Sequence, residues 1–363
     1  MKIFMYSDLH ISKTSSIFPL TSKNHKYTYR QNMIIELGKY LSNLIDELRP
    51  DLIVNLGDTF DQHTLTSYDI SIASEFFKCF RYLSIPHLVL VGNHEMVNYE
   101  FNAIDILSNI DNITVISEPT TIDLNLLSAF NPNSDKVVQS ANNEIQSAKI
   151  ALMPYMEYKD ILAFPDGDFL FSHLDIMGMK IRGDYEMETG VTSNQLSKYK
   201  LVFNGHIHKS SIKGNVINVG SISTHSFSDD NDSVPQCYIF DTDTLNLTSF
   251  KPTMCPLFRK FEIKDDLSEL HSYISGLDNN YKYILQVSCP FDLKEDVKQE
   301  LDNSNNVIAS RLNVRADKTK KAEENVDIAV ESNVDVKKSF IEFLDTTDLK
   351  YPKDLYLEVL GGI

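Results

Sequence analysis

Short apolar runs in this chain repeatedly stop at a polar residue of the kind that binds metal ions. Lys2–Tyr6 is followed by Asp8-Leu-His10, Leu52–Leu56 by Gly57-Asp58, and His87–Val91 by Gly92-Asn93-His94-Glu95. Phe169–Ser172 is followed by His173, and Leu201–Phe203 by Gly205-His206-Ile-His208. Asn215–Val219 leads into Gly220-Ser221, which offers backbone rather than a ligand. Buried parallel strands read as short apolar runs, and open α/β sheets place their sites at the carboxyl ends of strands. One strand end carrying Asp or His is common. Five carrying Asp, His or Asn predict an α/β fold with one shared site.

The donors are Asp8, His10, Asp58, Asn93, His173, His206 and His208. Seven exceed what one tetrahedral zinc takes. They suit two divalent ions bridged by Asp58, because a carboxylate has two oxygens to share. Mixed carboxylate, imidazole and amide ligation fits manganese, iron or zinc better than calcium, and no Cys calls for a soft metal. Two such ions, ~3.5–4 Å apart, clamp the attacking and leaving oxygens of a displacement at phosphorus and lower the pKa of a bound water. On a strand, Asp8 and His10 would face one side, as would His206 and His208. His94 is not needed as a ligand, so its imidazole is available to hydrogen-bond a phosphoryl oxygen or protonate a leaving oxygen. Each piece alone has a plainer reading: a His-x-His is usually a satisfied pair, Gly-Asp a turn, Asn a helix cap, a lone His a core residue. Their joint occurrence, each after a strand-like run, is what argues against those readings.

As a set, Asp-x-His, Gly-Asp, Gly-Asn-His-Glu, a lone His and Gly-His-x-His resembles the calcineurin-like metallophosphoesterases over roughly the first 225 residues. The resemblance implies a four-layer α/β/β/α sandwich, two sheets flanked by helices. It implies one metal held by Asp8, His10, Asp58 and His208, a second held by Asp58, Asn93, His173 and His206, and His94 as the catalytic residue. Gly57-Asp-Thr-Phe-Asp61 is similar to the SbcD-type DNA nucleases, and most nearly to the phage recombination endonuclease subunits. The Arg of the Gly-Asp-x-Val-Asp-Arg-Gly phosphatase pattern is missing. Met153-Pro-Tyr155 and Asp229-Asp-Asn-Asp232 also match the nucleases. Some relatives carry His where Asp61 stands; His63 is out of register and takes no such role.

From this resemblance follows an exonuclease and endonuclease dependent on manganese, with magnesium, iron or zinc as alternatives. Its substrates would be single-stranded DNA and duplex ends, in recombination, repair and replication. It would act as a homodimer with an SbcC-like SMC-type ATPase, in a bacterial or phage-infected cytoplasm. The competing readings are a small-molecule phosphodiesterase or protein phosphatase on the same fold, and an inactive binding subunit.

Domain boundaries follow from pattern. Residues 1–255 alternate strand-like runs with helical spacing at Asn32–Leu48 and Ile70–Leu83, and with later strands at Ile113–Ile116, Ile122–Phe130 and Ala148–Met153. Residues 256–315 read strand (Phe258–Lys264), helix (Asp266–Leu277, capped by Asp265), strand (Tyr281–Ser288), helix (Leu293–Leu301) and strand (Val307–Val314). This small α/β module matches the nucleases' capping domain in size and place. Residues 316–333 form a polar linker, and 334–363 carry Phe340, Ile341, Phe343, Leu344, Leu355, Leu357 and Val359 on helices suited to docking in a partner's groove.

Composition sets limits. The net charge of −17 opposes strong DNA binding by the chain alone, since that affinity comes from neutralising phosphates; either a partner supplies basic surface or the acidity serves only to keep the chain soluble. No apolar run approaches the ~18 residues of a membrane span. A cleaved leader would remove Asp8 and His10, so none is expected. Cys79, Cys237, Cys255 and Cys289 lack metal-site spacing and fit a reducing cytoplasm.

Overall fold

A computed structural model describes residues 1–12, 27–124, 148–182, 185–224, 226–227 and 233–315. In it β1 (Lys2–Tyr6), β2 (Leu52–Asn55), β3 (His87–Leu90) and β4 (Ile113–Ile116) pair successively in parallel. The crossovers are helical. Thr28 opens α1 (Tyr29–Leu48) in a capping box with Gln31, and Thr66 opens α2 (Ser67–Lys78) in one with Asp69. Arg49, left-handed just before Pro50, closes α1. The helical spacing expected as far as Leu83 breaks after Lys78, and Arg81–Leu83 is a separate 3-10 turn.

The second sheet repeats the plan. β5 (Thr120–Asp123) lies antiparallel at one edge of β6 (Lys149–Met153), which runs parallel to β7 (Phe169–Ser172). A hairpin of β8 (Lys180–Arg182) and β9 (Tyr185–Glu186) and the one-turn α3 (Ser193–Leu196) precede β10 (Leu201–Asn204), parallel to β7. β11 (Ser211–Lys213) is the antiparallel edge of β12 (Val216–Asn218), itself parallel to β10. The chain then returns to the first sheet, adding β13 (Cys237–Asp241) and β14 (Leu247–Phe250) antiparallel beyond β1. The orders are β14-β13-β1-β2-β3-β4 and β11-β12-β10-β7-β6-β5.

Strand alternation sorts the apolar side chains. Ile3, Met5, Val54, Leu88 and Leu90 of the first sheet meet Ile150, Leu152, Phe169 and Phe203 of the second between the sheets. Phe4, Tyr6, Ile53 and Val89 face the other way, under Leu37 and Leu41 of α1 and Ile72 and Phe76 of α2. Burial of each large side chain is worth about 1.5–3 kcal/mol, so a one-residue slip that exchanged the two sets would be costly. On the outer face of the second sheet, Leu170 and Val202 are covered by Leu174, Ile176, Leu196 and Tyr199. These come from loops and α3, so the fourth layer carries little helix among the described residues.

β15 (Leu257–Glu262), α4 (Leu267–Ser275), β16 (Tyr283–Pro290), α5 (Lys294–Asn303) and β17 (Val307–Arg315) form the expected small module, with an all-parallel sheet. Its own core holds Leu257, Leu270, Leu285, Val287 and Val297. Phe258 and Ile284 point instead into the core beneath α1, so the module belongs to one compact unit spanning Met1–Arg315. The cap of α4 is Asp266, not Asp265. Asp266 accepts from the Ser268 amide at 2.8 Å, and Glu269 turns back to the Asp266 amide at 3.2 Å. Ala316–Ile363 form a second unit. The expected linker (316–333), docking helices (334–363), the Asp229–Asp232 run and residues 125–130 of the Ile122–Phe130 strand lie outside the described residues. Among those described, no helix is long and apolar enough to cross a membrane.

Candidate metal centre

The carboxyl ends of both parallel sets open on the same side. Backbone pairing runs a little past the strands: the Asp8 amide donates to Gly57 O and the His10 amide to Asp58 O, both at 3.0 Å. The chain then turns left-handed at Asp8 (φ 54°), His10 (φ 48°), Asp58 (φ 51°) and His206 (φ 73°). Asp8 and His10 therefore do not share a face by strand alternation, and neither do His206 and His208. The turns aim the side chains. Three strands end in Asn, and each Asn braces a neighbouring loop of the site. The Asn55 side chain accepts from the Gly57 amide and donates to Thr59 Oγ1. Asn204 accepts from Ser172 Oγ and the Leu174 amide. Asn218 donates to the carbonyls of Ile207 and Lys209 on either side of His208.

All seven expected donors meet here. Asp58 Oδ2 lies 3.2 Å from His173 Nε2, 3.8 Å from His10 Nε2 and 4.0 Å from His94 Nε2. Asn93 Oδ1 lies 3.1 Å from His173 Nε2 and 2.9 Å from His206 Nδ1. Asp8 Oδ1 is 3.9 Å from both His10 Nε2 and His208 Nε2, which are 3.0 Å from each other. Two groups of potential ligands result: Asp8, His10 and His208 on one side, and Asp58, His173 and His206 on the other, with Asp58 also grouped with His10 and His94. Glycine is required for this approach. A Cβ on Gly92 would sit 2.1 Å from Asp58 Oδ1, and one on Gly57, at φ +108°, 2.5 Å from His173 Nδ1.

The donor set fits divalent cations. His173 Nδ1 lies 2.7 Å from the Leu56 carbonyl, which only accepts, so Nδ1 carries the proton and Nε2 presents its lone pair. His206 Nε2 lies 2.9 Å from Asp175 Oδ1, which leaves Nδ1 as the inward atom. Asp58 Oδ2, Asn93 Oδ1, His173 Nε2 and His206 Nδ1 thus face one another, and each would offer a lone pair to a cation that displaced the protons between them. Asp8 is fully buried and neither of its carboxylate oxygens has a hydrogen-bond partner. An unpaired buried carboxylate is costly, and a coordinated cation removes that cost.

The protonation equilibria reflect the same crowding. Burial works against a charged His173, but the charge and hydrogen bond of Asp58 outweigh it and raise its pKa to about 9. Despite its burial, the neighbouring His173, His10 and His94 hold the Asp58 carboxyl well below the usual carboxylate range. Burial and the adjacent His208 push the His10 imidazole well down. Without a cation, a proton on His173 takes over part of the neutralising role.

A family model, calcineurin-like phosphoesterase, matches residues 1–210. The chain belongs to that family. Exonuclease subunit 1 of Enterobacteria phage T4 is 25% identical over 211 residues, which are 55% of this chain and 55% of that protein. The chain therefore matches about half the length of that relative. Among solved structures, the TT1561 protein of Thermus thermophilus aligns at 10% identity with a TM-score of 0.37, over 69% of this chain and 98% of its own. The Pseudomonas putida nuclease MPE aligns at 15% identity with a TM-score of 0.30, over 65% and 83%.

Several residues that brace this phosphoesterase site had no role in the sequence reading. Asp61 Oδ1 lies 3.2 Å from His10 Nδ1, and the Asp61 carbonyl accepts from His94 Nδ1 at 2.8 Å, so one residue steadies both rings. Glu95, fully buried, accepts from the Phe60 amide at 2.8 Å and the Gly92 amide at 2.7 Å, tying the loops after β2 and β3 together. Burial first, and then the Asp58 charge, raise its pKa to about 8. Arg30, buried at the start of α1, donates to the His10 carbonyl at 2.9 Å and the Thr224 carbonyl at 3.2 Å. Only the run of Asn at strand ends and the Asp two residues after His173 were readable as signals. His63 is exposed.

Proposed function

We propose that this phosphoesterase is a two-metal DNA nuclease, the hydrolytic subunit of a nuclease–ATPase assembly. The observation that carries the two-metal part is the convergence of donor atoms from Asp58, Asn93, His173 and His206 beside an Asp8 carboxylate that has no hydrogen-bond partner. Asp8, His10, Asp58 and His208 would hold one ion, and Asp58, Asn93, His173 and His206 the other. When bound, the ions supply Lewis acidity to the phosphoryl group and a hydroxide nucleophile near neutral pH. His94 is not among those ligands. Its Nδ1–H is tied to the Asp61 carbonyl and its half-exposed ring presents Nε2 to the site, where the imidazolium form would donate a hydrogen bond to the phosphoryl or leaving oxygen.

The DNA substrate is supported by the likeness to the phage exonuclease subunit and by Phe60-Asp61-Gln62 standing where the phosphatase pattern carries Val-Asp-Arg. The acidity of the chain favours a partner that supplies the basic DNA surface. We assign that role to an SbcC-like ATPase docked on residues 334–363, and treat residues 256–315 as the cap that limits which DNA ends enter. The test is cleavage by the purified full chain in manganese, on single-stranded DNA and on cyclic nucleotides, with and without the ATPase. DNA cleavage stimulated on duplex ends by ATPase and ATP is the expected result. Faster turnover of cyclic nucleotides than of DNA would refute the nuclease reading.

A further inference from the structure

Asp175 follows His173 by two residues and sits at the rim of the site, where no ligand role is open to it. Its Oδ1 lies 2.9 Å from His206 Nε2, and the two side chains are 24% and 19% exposed. A carboxylate only accepts, so the ring nitrogen facing it must carry the proton. The other nitrogen, Nδ1, faces Asn93 Oδ1 at 2.9 Å, and with a cation between the two it would offer the lone pair. The adjacent His206 chiefly, with a smaller contribution from Tyr155, holds the Asp175 carboxyl below the ordinary range. The Tyr155 ring also lies against both imidazoles, with centroids 6.0 Å from His206 and 6.4 Å from His173. Its place is fixed by a 2.8 Å hydrogen bond from its own amide to Val91 O, at the end of β3.

We propose that Asp175, backed by Tyr155, is the positioning residue that selects Nδ1 of His206 as the ligand atom for the second ion. This rests on the two-metal reading and extends it by naming what orients one ligand of the second ion. His173, on the same ion, has its tautomer set by a backbone carbonyl, which no substitution of Leu56 removes. His206 depends on a side chain that can be replaced. The affinity of the second ion can therefore be changed without altering any of its ligands, as Asp61 beside His10 would allow separately for the first. Outer carboxylates on metal-bound His typically contribute 10- to 100-fold in affinity.

The test is Asp175→Asn in the full chain. Manganese is titrated calorimetrically into metal-free protein, and the histidine tautomers of the metal-free protein are read by nitrogen-15 NMR. In wild type, two ions bind and the His206 proton is on Nε2. In the variant the amide can donate as well as accept, so the Nε2–H signature of His206 is lost or mixed. The second ion weakens roughly 10- to 100-fold while the first is unchanged. Tyr155→Phe shifts the second ion in the same direction by less. An unchanged His206 tautomer with unchanged second-ion affinity overturns the assignment. Equal weakening of both ions, or a large drop in metal-free melting temperature, overturns it too, because the role would then be general to the fold. A wild type that binds fewer than two ions refutes the underlying two-metal reading instead.

Discussion

Replacing Asp8 with Asn should stabilise the metal-free protein and destabilise the metal-loaded one relative to wild type. Asp8 is fully buried, has no hydrogen bond to either carboxylate oxygen, and sits 3.9 Å from the nearest imidazole nitrogens. Leaving a buried polar group unsatisfied costs about 1–3 kcal/mol, and more when it is charged. The charge on Asp8 is partly offset, since it helps to raise the His173 pKa, which favours the lower end of that range. Asn is nearly isosteric, tolerates the left-handed backbone at this position, and its amide can donate toward the His10 and His208 nitrogens. A gain of ~1–3 kcal/mol corresponds to a rise of roughly 2–6 °C in a unit of this size. With metal the order reverses. An ion held at one hundred times its dissociation constant adds about 2.7 kcal/mol to wild type, and the variant loses that contribution from the Asp8 ion. Differential scanning calorimetry in chelator and in excess manganese reads both effects. A variant that melts below wild type in chelator would mean that the carboxylate is already satisfied by the protein, and the argument for a cation at Asp8 would fail.

His94→Ala should retain both ions by calorimetry and lose roughly 100- to 10,000-fold in phosphodiester cleavage; loss of an ion in this variant would make His94 a ligand. Metal binding should release a proton from His173, because its pKa of about 9 in the metal-free fold lies above the ordinary 6.5. Manganese affinity should therefore fall as pH drops below 9, and heats measured in buffers of different ionisation enthalpy should differ. In the metal-free protein the same raised pKa contributes stability that is complete below 6.5 and disappears as pH rises through 9. His87 behaves in the opposite sense. Burial lowers its pKa to about 3, so stability should fall as pH drops from about 6.5, by up to ~1.4 kcal/mol per unit, and His87→Gln should blunt that slope. Gly92→Ala should abolish cleavage by displacing Asp58, since its Cβ has no room, and a variant with wild-type activity would show that the loop is softer than argued.

The ligands were legible in the sequence because each follows an apolar run, and a parallel sheet leaves a strand's next residues at one edge. The order of strands was not, since nothing in Cys237–Asp241 says that it returns beside Lys2–Tyr6 rather than extending the second sheet. The means of aiming was misread. Asp8 and His10 share a target through positive φ at both, a conformation that residue identity hints at only weakly for Asp and less for His. Asp61 and Arg30 were invisible as supports because their partners lie far off in sequence or are backbone carbonyls. The cap of α4 slipped by one residue because Asp265 and Asp266 are equivalent as letters, and only the backbone decides which carboxylate faces the Ser268 amide.

The left-handed backbone at Asp8, His10, Asp58 and His206 bears on how such a chain drifts. Each non-glycine residue held there sits about 1–2 kcal/mol above its relaxed state, somewhat less for Asp. At those positions Gly or Asn would fold more readily than the residues present. Selection for stability alone therefore runs against the chemistry, and a copy of this gene freed from its function would shed ligands early while keeping its sandwich intact. Intact Asp and His at all four strained positions are, by that reasoning, a mark of continuing use.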